Sequence, residues 1–170
     1  ELASLRYPPG GPRPAKEAMQ TFNLHPEFNL SLAVDENLAE KIMSLDWDPQ
    51  GRLWVVETPE YPGGRDINPN DAKIAPWRDQ DPQKYTVGGK EPRPAHDRIS
   101  MLEDTNGDGV MDKKTVFYEG LELPTSLVFY KDGVIVSQAP DTYWIRDTDG
   151  DGKADKKETL FTGWGTFDTH

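Results

Sequence analysis

Cysteine is absent from this 170-residue chain. That removes disulfides, thiolate metal sites, a cysteine nucleophile and covalently attached c-type haem from it. No apolar run approaches the ~18 residues that a membrane span needs. Basic residues are in deficit, 19 Lys and Arg against 30 Asp and Glu, and the net charge is -11. A duplex binder needs a basic stripe, and none is present, so nucleic acid is excluded as a partner. Apolar residues make up only 35% of the chain, although a 10% aromatic content with 5 Trp opposes disorder. His25, His96 and His170 stand far apart and form no metal-ligand spacing, and there is no Gly-rich phosphate loop and no nucleophile elbow. An initiator Met and a signal peptide are also missing, so Glu1 reads as a processed or trimmed end.

What the chain does contain is punctuation and clustered acid. Its 15 Pro and 15 Gly are spread throughout, with few helical runs between them, which favours short strands joined by turns. Residues 1–27 read as an N-terminal arm: an extended Pro/Gly-rich stretch over 1–14, then a short helix over 15–22 with Pro14 at its start. Phe28, Leu30, Leu32 and Val34 alternate with polar residues, the period of a half-buried strand. Residues 44–57 (SLDWDPQGRLWVVE) read as strand, tight turn at Pro49-Gln50-Gly51, and a buried strand over 53–56. The pattern returns over residues 126–138 (SLVFYKDGVIVSQ), with one residue fewer after the glycine.

A second repeat organises the rest. DTNGDGVMDKKTVFYEG (104–120) aligns without a gap to DTDGDGKADKKETLFTG (147–163), with 9 of 17 positions identical and an offset of 43 residues. A period of ~40–45 residues built of short strands is the mark of propeller blades. The expected fold is therefore all-β: a β-propeller of repeated antiparallel four-stranded blades, about two of which lie in residues 28–170. Residues 28–34 would be the strand that closes the ring. Each blade would run inner strand, glycine turn, buried strand, third strand (99–102 or 143–145), aspartate loop and outer strand (115–118 or 159–161). A tandem EF-hand or dockerin-like array is the alternative. It needs helices beside each loop, whereas the flanking residues are β-branched and aromatic and the segments are short. Residues 58–97, with seven Pro and four Gly, interrupt the period as a long inserted loop: a lid, a binding arm or surface decoration.

The loops carry the chemistry. Counting from Asp104, oxygen ligands fall at positions 1, 3, 5 and 9 (Asp104, Asn106, Asp108, Asp112), with Gly109 at 6 and the Val110 carbonyl at 7. The second loop offers Asp147, Asp149, Asp151 and Asp155, with Gly152 at 6, the Lys153 carbonyl at 7 and Glu158 at 12. Calcium takes six to eight hard oxygens, and alternate residues of a tight loop aim them at one centre, whereas magnesium demands a stricter octahedron. A metal-free Asx turn is the competing reading. It does not require carboxylates at 1, 3, 5 and 9 together, where they repel unless neutralised. Two Ca2+ sites are expected. Trp47, Trp54, Trp144 and Trp164 suit sheet cores better than sugar platforms.

The succession DPQGRLWVVETPEYP, RISMLEDTNGDGVMDKKTVFYEGLELPTSL and YWIRDTDGDGKADKKETLFTGWGTFDTH resembles the N-terminal half of the PVC-type membrane-bound dehydrogenase domain, over residues 22–170. That family is related to the pyrroloquinoline-quinone (PQQ)-dependent soluble glucose and aldose-sugar dehydrogenases, which are six-bladed propellers. Where this chain reads Glu36-Asn37, the family often has Glu-Pro. The resemblance implies export to the periplasm or cell surface, oxidation of a sugar or alcohol through quinone, and electron transfer to a c-type haem outside this chain. It also implies a role for His170 as general base on the sugar hydroxyl, with an unperturbed pKa of ~6.5 suited to that task. Two blades and part of a third cannot close a propeller, so the quinone positions are expected elsewhere. The partners expected are the remainder of the propeller or other protein subunits. The alternative function is a non-catalytic, calcium-stabilised propeller serving as a binding or structural scaffold.

Overall fold

The computed structural model describes residues 13–59, 61 and 95–165. Among them are one short helix, α1 (Ala15–Met19), and eight strands. α1 begins where proline fixes the backbone: the Pro14 carbonyl receives the amides of Glu17 and Ala18, both at 2.9 Å. Strands β1 (Ile42–Trp47), β2 (Leu53–Glu57), β3 (Asp97–Glu103) and β4 (Lys113–Leu121) form one antiparallel sheet in sequence order. Strands β5 (Ser126–Tyr130), β6 (Gly133–Gln138), β7 (Asp141–Arg146) and β8 (Lys156–Thr162) form a second on the same plan. The described residues are therefore all-β apart from α1. Both aspartate loops run from strand to strand (β3 to β4, β7 to β8), which removes the EF-hand alternative.

The repeat extends to backbone irregularities. The β3–β4 register shifts between Ile99 and Ser100, and the β7–β8 register between Thr142 and Tyr143, 43 residues later. Each four-stranded unit turns its first corner on an aspartate. Asp48 accepts the amides of Gln50 and Arg52, Arg52 Nε at 2.6 Å and Trp54 Nε1 at 2.9 Å. Burial pushes its carboxyl upward, but the bonds from Trp54 and Arg52 outweigh that and hold it below the usual range. At the equivalent corner, Asp132 is forked by Arg146 (Nε at 3.0 Å, Nη2 at 2.7 Å). The next residue must be glycine: a Cβ on Gly133 would lie 2.0 Å from the Ile145 carbonyl oxygen.

The sheets meet across one shared core. Trp54, Val56, Ile99, Met101, Phe117 and Leu121 of the first pack with Leu127, Val134, Val136 and Ile145 of the second. The Trp54 ring stands edge-on to Phe117 (4.7 Å) and Phe129 (5.4 Å). Each fully buried aliphatic of this set contributes roughly 1.5–3 kcal/mol. On its other face the first sheet buries Leu53, Val55, Leu102 and Met111 beneath Ala39, with Val34, Leu38 and Ile42 alongside.

Residues 28–34 correct the sequence expectation: they form no strand. Apolar alternation yields a ladder only where a neighbour supplies one, and here Phe28 is 68% exposed. The stretch is tied down by the Ala33 carbonyl, which accepts the Met111 amide at 2.7 Å. The inserted loop is fixed at its first turn. Thr58 donates to the Lys41 carbonyl, and Lys41 Nζ donates to the carbonyls of Pro59 and Tyr61. Residues 60 and 62–94 of that insertion lie outside the described residues.

Candidate metal sites

Each loop is shaped by its own position-1 carboxylate. Asp104 accepts the amides of Gly107 (2.7 Å), Asp108 (3.3 Å) and Gly109 (2.8 Å). Asp147 accepts those of Gly150 (2.7 Å) and Gly152 (2.9 Å). Gly109 and Gly152 take φ of +88° and +89°, which an L side chain rarely adopts, so the sharp bend at position 6 needs glycine. Converging amides stabilise the ionised acid. The Gly109 amide leads in holding Asp104 below the usual carboxylate range. For Asp147, burial pushes upward but the Gly152 and Gly150 amides win, and the net is downward.

Positions 3 and 5 continue the wrap. Asn106 Oδ1 accepts the Asp108 amide and Asp108 Oδ1 the Val110 amide, as Asp149 and Asp151 accept those of Asp151 and Lys153. Position 9 closes the loop on position 2. The Asp112 carboxylate accepts the Thr105 hydroxyl at 2.9 Å, and Asp155 accepts that of Thr148 at 2.6 Å. The Thr148 hydroxyl and amide lower the Asp155 carboxyl.

In the second loop Asp147, Asp149 and Asp151 each bring a carboxylate oxygen within 4.8 Å of the others. Oxygens sharing one ion at 2.3–2.6 Å lie at most about 5 Å apart, so the three fit a common calcium shell, with the Lys153 carbonyl next in the wrap. The first loop offers an amide in place of the middle acid, and Asn106 Nδ2 donates to Asp108 Oδ2 at 3.2 Å. Val110, which carries the position-7 carbonyl, is exposed there.

Glu158 does not join this group. It sits in β8 opposite Trp144, with its carboxylate 3.2 Å from Arg146 Nη1 and 2.7 Å from Lys156 Nζ. The exit from the loop is a strand, so position 12 is carried away from the Asp147, Asp149 and Asp151 carboxylates instead of back over them, as an exiting helix would do. His170, the base expected from the resemblance, lies outside the described residues.

Two features are invisible in the motif. The first is where the loops rest. The amide at position 8 of each reaches outside its own hairpin, Ala154 to the Phe117 carbonyl of β4 and Met111 to the Ala33 carbonyl, both at 2.7 Å. The second is an ion cluster under the first sheet. Glu57, fully buried, accepts Arg98 Nε and Nη2 (both 3.1 Å), Lys114 Nζ (2.7 Å), the Ser100 hydroxyl and the Glu40 amide. Burial pushes its carboxyl up, but Arg98, Lys114 and Ser100 overcome this and hold it below the usual range. Its only sequence signal is an acid ending the otherwise apolar run LWVV, and its partners stand 41 and 57 positions away.

Fold and loops together define a class: tandem four-stranded antiparallel sheets, each carrying one acidic loop between its third and fourth strands. Residues 14–170 match the family described as a domain of unknown function, DUF7133, and the chain belongs to that family. No curated protein and no solved structure matches it.

Proposed function

We propose that this chain is part of an exported β-propeller whose blades are fastened by calcium, one ion per aspartate loop. One observation carries the reading: each loop that gathers acids also clasps the element before it, through the same position-8 amide. Loop two grips the outer strand β4 at Phe117, and loop one grips Ala33. Residues 28–34 thus stand toward the first sheet as an outer strand stands toward the next, which is what a ring of blades requires. Neutralising the convergent carboxylates would fix the loop and, through the amide, the neighbour it holds. The test is thermal unfolding of the chain with calcium and with chelator. Calcium should raise the melting temperature, and Asp147→Asn with Asp151→Asn should abolish most of that rise. An identical melting temperature in both conditions would refute it.

For the longer protein we extend the proposal to quinone-dependent oxidation of a sugar or alcohol with electron transfer to haem, in the periplasm or at the cell surface. This part rests on the resemblance to PVC-type dehydrogenase domains. Bound PQQ would supply the hydride acceptor, and His170 would take the hydroxyl proton. A non-catalytic scaffold is favoured by a different observation: the loop acids described here accept the amides and hydroxyls of their own loops. Quinone-dependent sugar oxidation by the full-length protein separates the two. Activity that His170→Ala removes supports the enzyme, and no activity in the intact protein supports the scaffold.

A further inference from the structure

The two sheets are successive copies of one repeat, yet strands β2 and β3 of the first are covered on both faces and the last strands of the second are not. Trp54, Val56, Ile99, Met101 and Phe117 of the first lie beneath the second. Carrying the 43-residue period forward, Trp144, Leu160 and Phe161 take the places of Met101, Phe117 and Tyr118, with the same β-bulge between the last two strands. On the second sheet this face is open. Phe161 is 63% exposed, Leu160 37%, and Val128, in register with Ile135 and Trp144 on that face, 54%. An open apolar face that continues an existing interface marks a binding surface.

We infer that this face docks a further four-stranded sheet of the same repeat. The inference rests on the repeat reading proposed above and assigns it a surface and an atom. Where the second sheet meets the first, it supplies an aliphatic row (Leu127, Val134, Val136, Ile145) and a loop amide, Ala154, to the Phe117 carbonyl. The incoming sheet would lay an equivalent row on Val128, Ile135, Trp144, Leu160 and Phe161, and its loop would donate to the Leu160 carbonyl. A second copy of this chain is a poor occupant. Three of the four residues of its own matching row, Leu53, Val55 and Leu102, are already buried beneath Ala39, Leu38 and Ile42, which leaves Leu45 of β1 as the exposed member.

The test extends the full chain with a second copy of its own residues 121–165. Hydrogen exchange over β8 should slow about tenfold or more in the extended chain, and a fluorescent dye for apolar surface bound by the unextended chain should be released. Val128→Lys and Phe161→Lys should undo both changes in the extended chain while leaving the melting temperature of the unextended chain unaltered. In the unextended chain the same substitutions should at least halve dye binding. If they leave dye binding intact, the face is not the open patch and the inference falls. It falls also if the added sheet stays unfolded on an intact chain, or if the unextended chain dimerises and Val128→Lys abolishes the dimer. Calcium binding by the unextended chain reports on the loops separately, so loss of that reading is distinguishable from loss of this one.

Discussion

The first sheet and the second share one repeat but not one environment. β2 is buried along its whole length, Leu53–Glu57, and ends in a carboxylate held by two cations. At the matching place β6 ends in Gln138, whose side-chain oxygen accepts a single amide from Glu122 at 2.9 Å. The repeat therefore specifies strands and loops, while burial decides which polar residues each copy can hold. A charge is kept where other charges are buried with it, and an amide suffices where water is near.

Breaking that contrast should cost most at Glu57. Glu57→Ala strands Arg98 and Lys114 beneath the N-terminal cover and should lose about 3–5 kcal/mol. Gln138→Ala should lose about 1 kcal/mol. Urea unfolding of both variants checks this, and equal losses would erase the difference between the sheets. Next comes packing: Leu102→Ala, fully buried on the first sheet, should cost about 2–5 kcal/mol. Val128→Ala on the open face of the second should stay within about 0.5 kcal/mol.

The loops differ in one candidate ligand, Asn106 against Asp149, and exchanging it sharpens the comparison further. Asp149→Asn gives the second loop the middle ligand of the first and should weaken its calcium affinity by about tenfold, because affinity follows ligand charge. Asn106→Asp should strengthen the first loop by a similar factor, and calorimetric titration reads both.

The smallest effect is a pH slope. The Glu57 carboxyl lies below its ordinary 4.5 in the folded chain. Its contribution is complete above the unfolded pKa and is lost as pH falls through the lower folded value. Stability should therefore decline with acid below about pH 4.5, and more shallowly in Glu57→Gln. A wild-type slope no steeper than the variant's would show that Glu57 is not the group responsible.

Periodicity made much of this legible. The buried strands, the strand-flanked loops and the short helix follow from alternation, glycine turns and the 43-residue offset. What sequence could not supply were partners. The apolar alternation over 28–34 signals a strand, but a strand exists only beside another, and here the neighbour is a single amide, that of Met111. Glu158 stands at position 12 of the second aspartate loop by count, yet the strand geometry after Lys156 hands it to Arg146 and Lys156. The Glu57 cluster joins residues from three strands and the cover, and no local pattern announces such a set. Position 8 of the loops, Met111 or Ala154, carries no conspicuous chemistry in sequence, because its role is played by the backbone.

The claim that calcium fastens each blade to its neighbour is tested most directly by titrating the metal-free chain with calcium while following hydrogen exchange at the Ala154 and Met111 amides. The account predicts two binding events, the second loop filling first, and slower exchange at each amide as its own loop fills. At a hundredfold excess over Kd, one site should add about 2.7 kcal/mol of stability. Exchange at both amides that is unchanged through millimolar calcium, with no heat of binding, would contradict it.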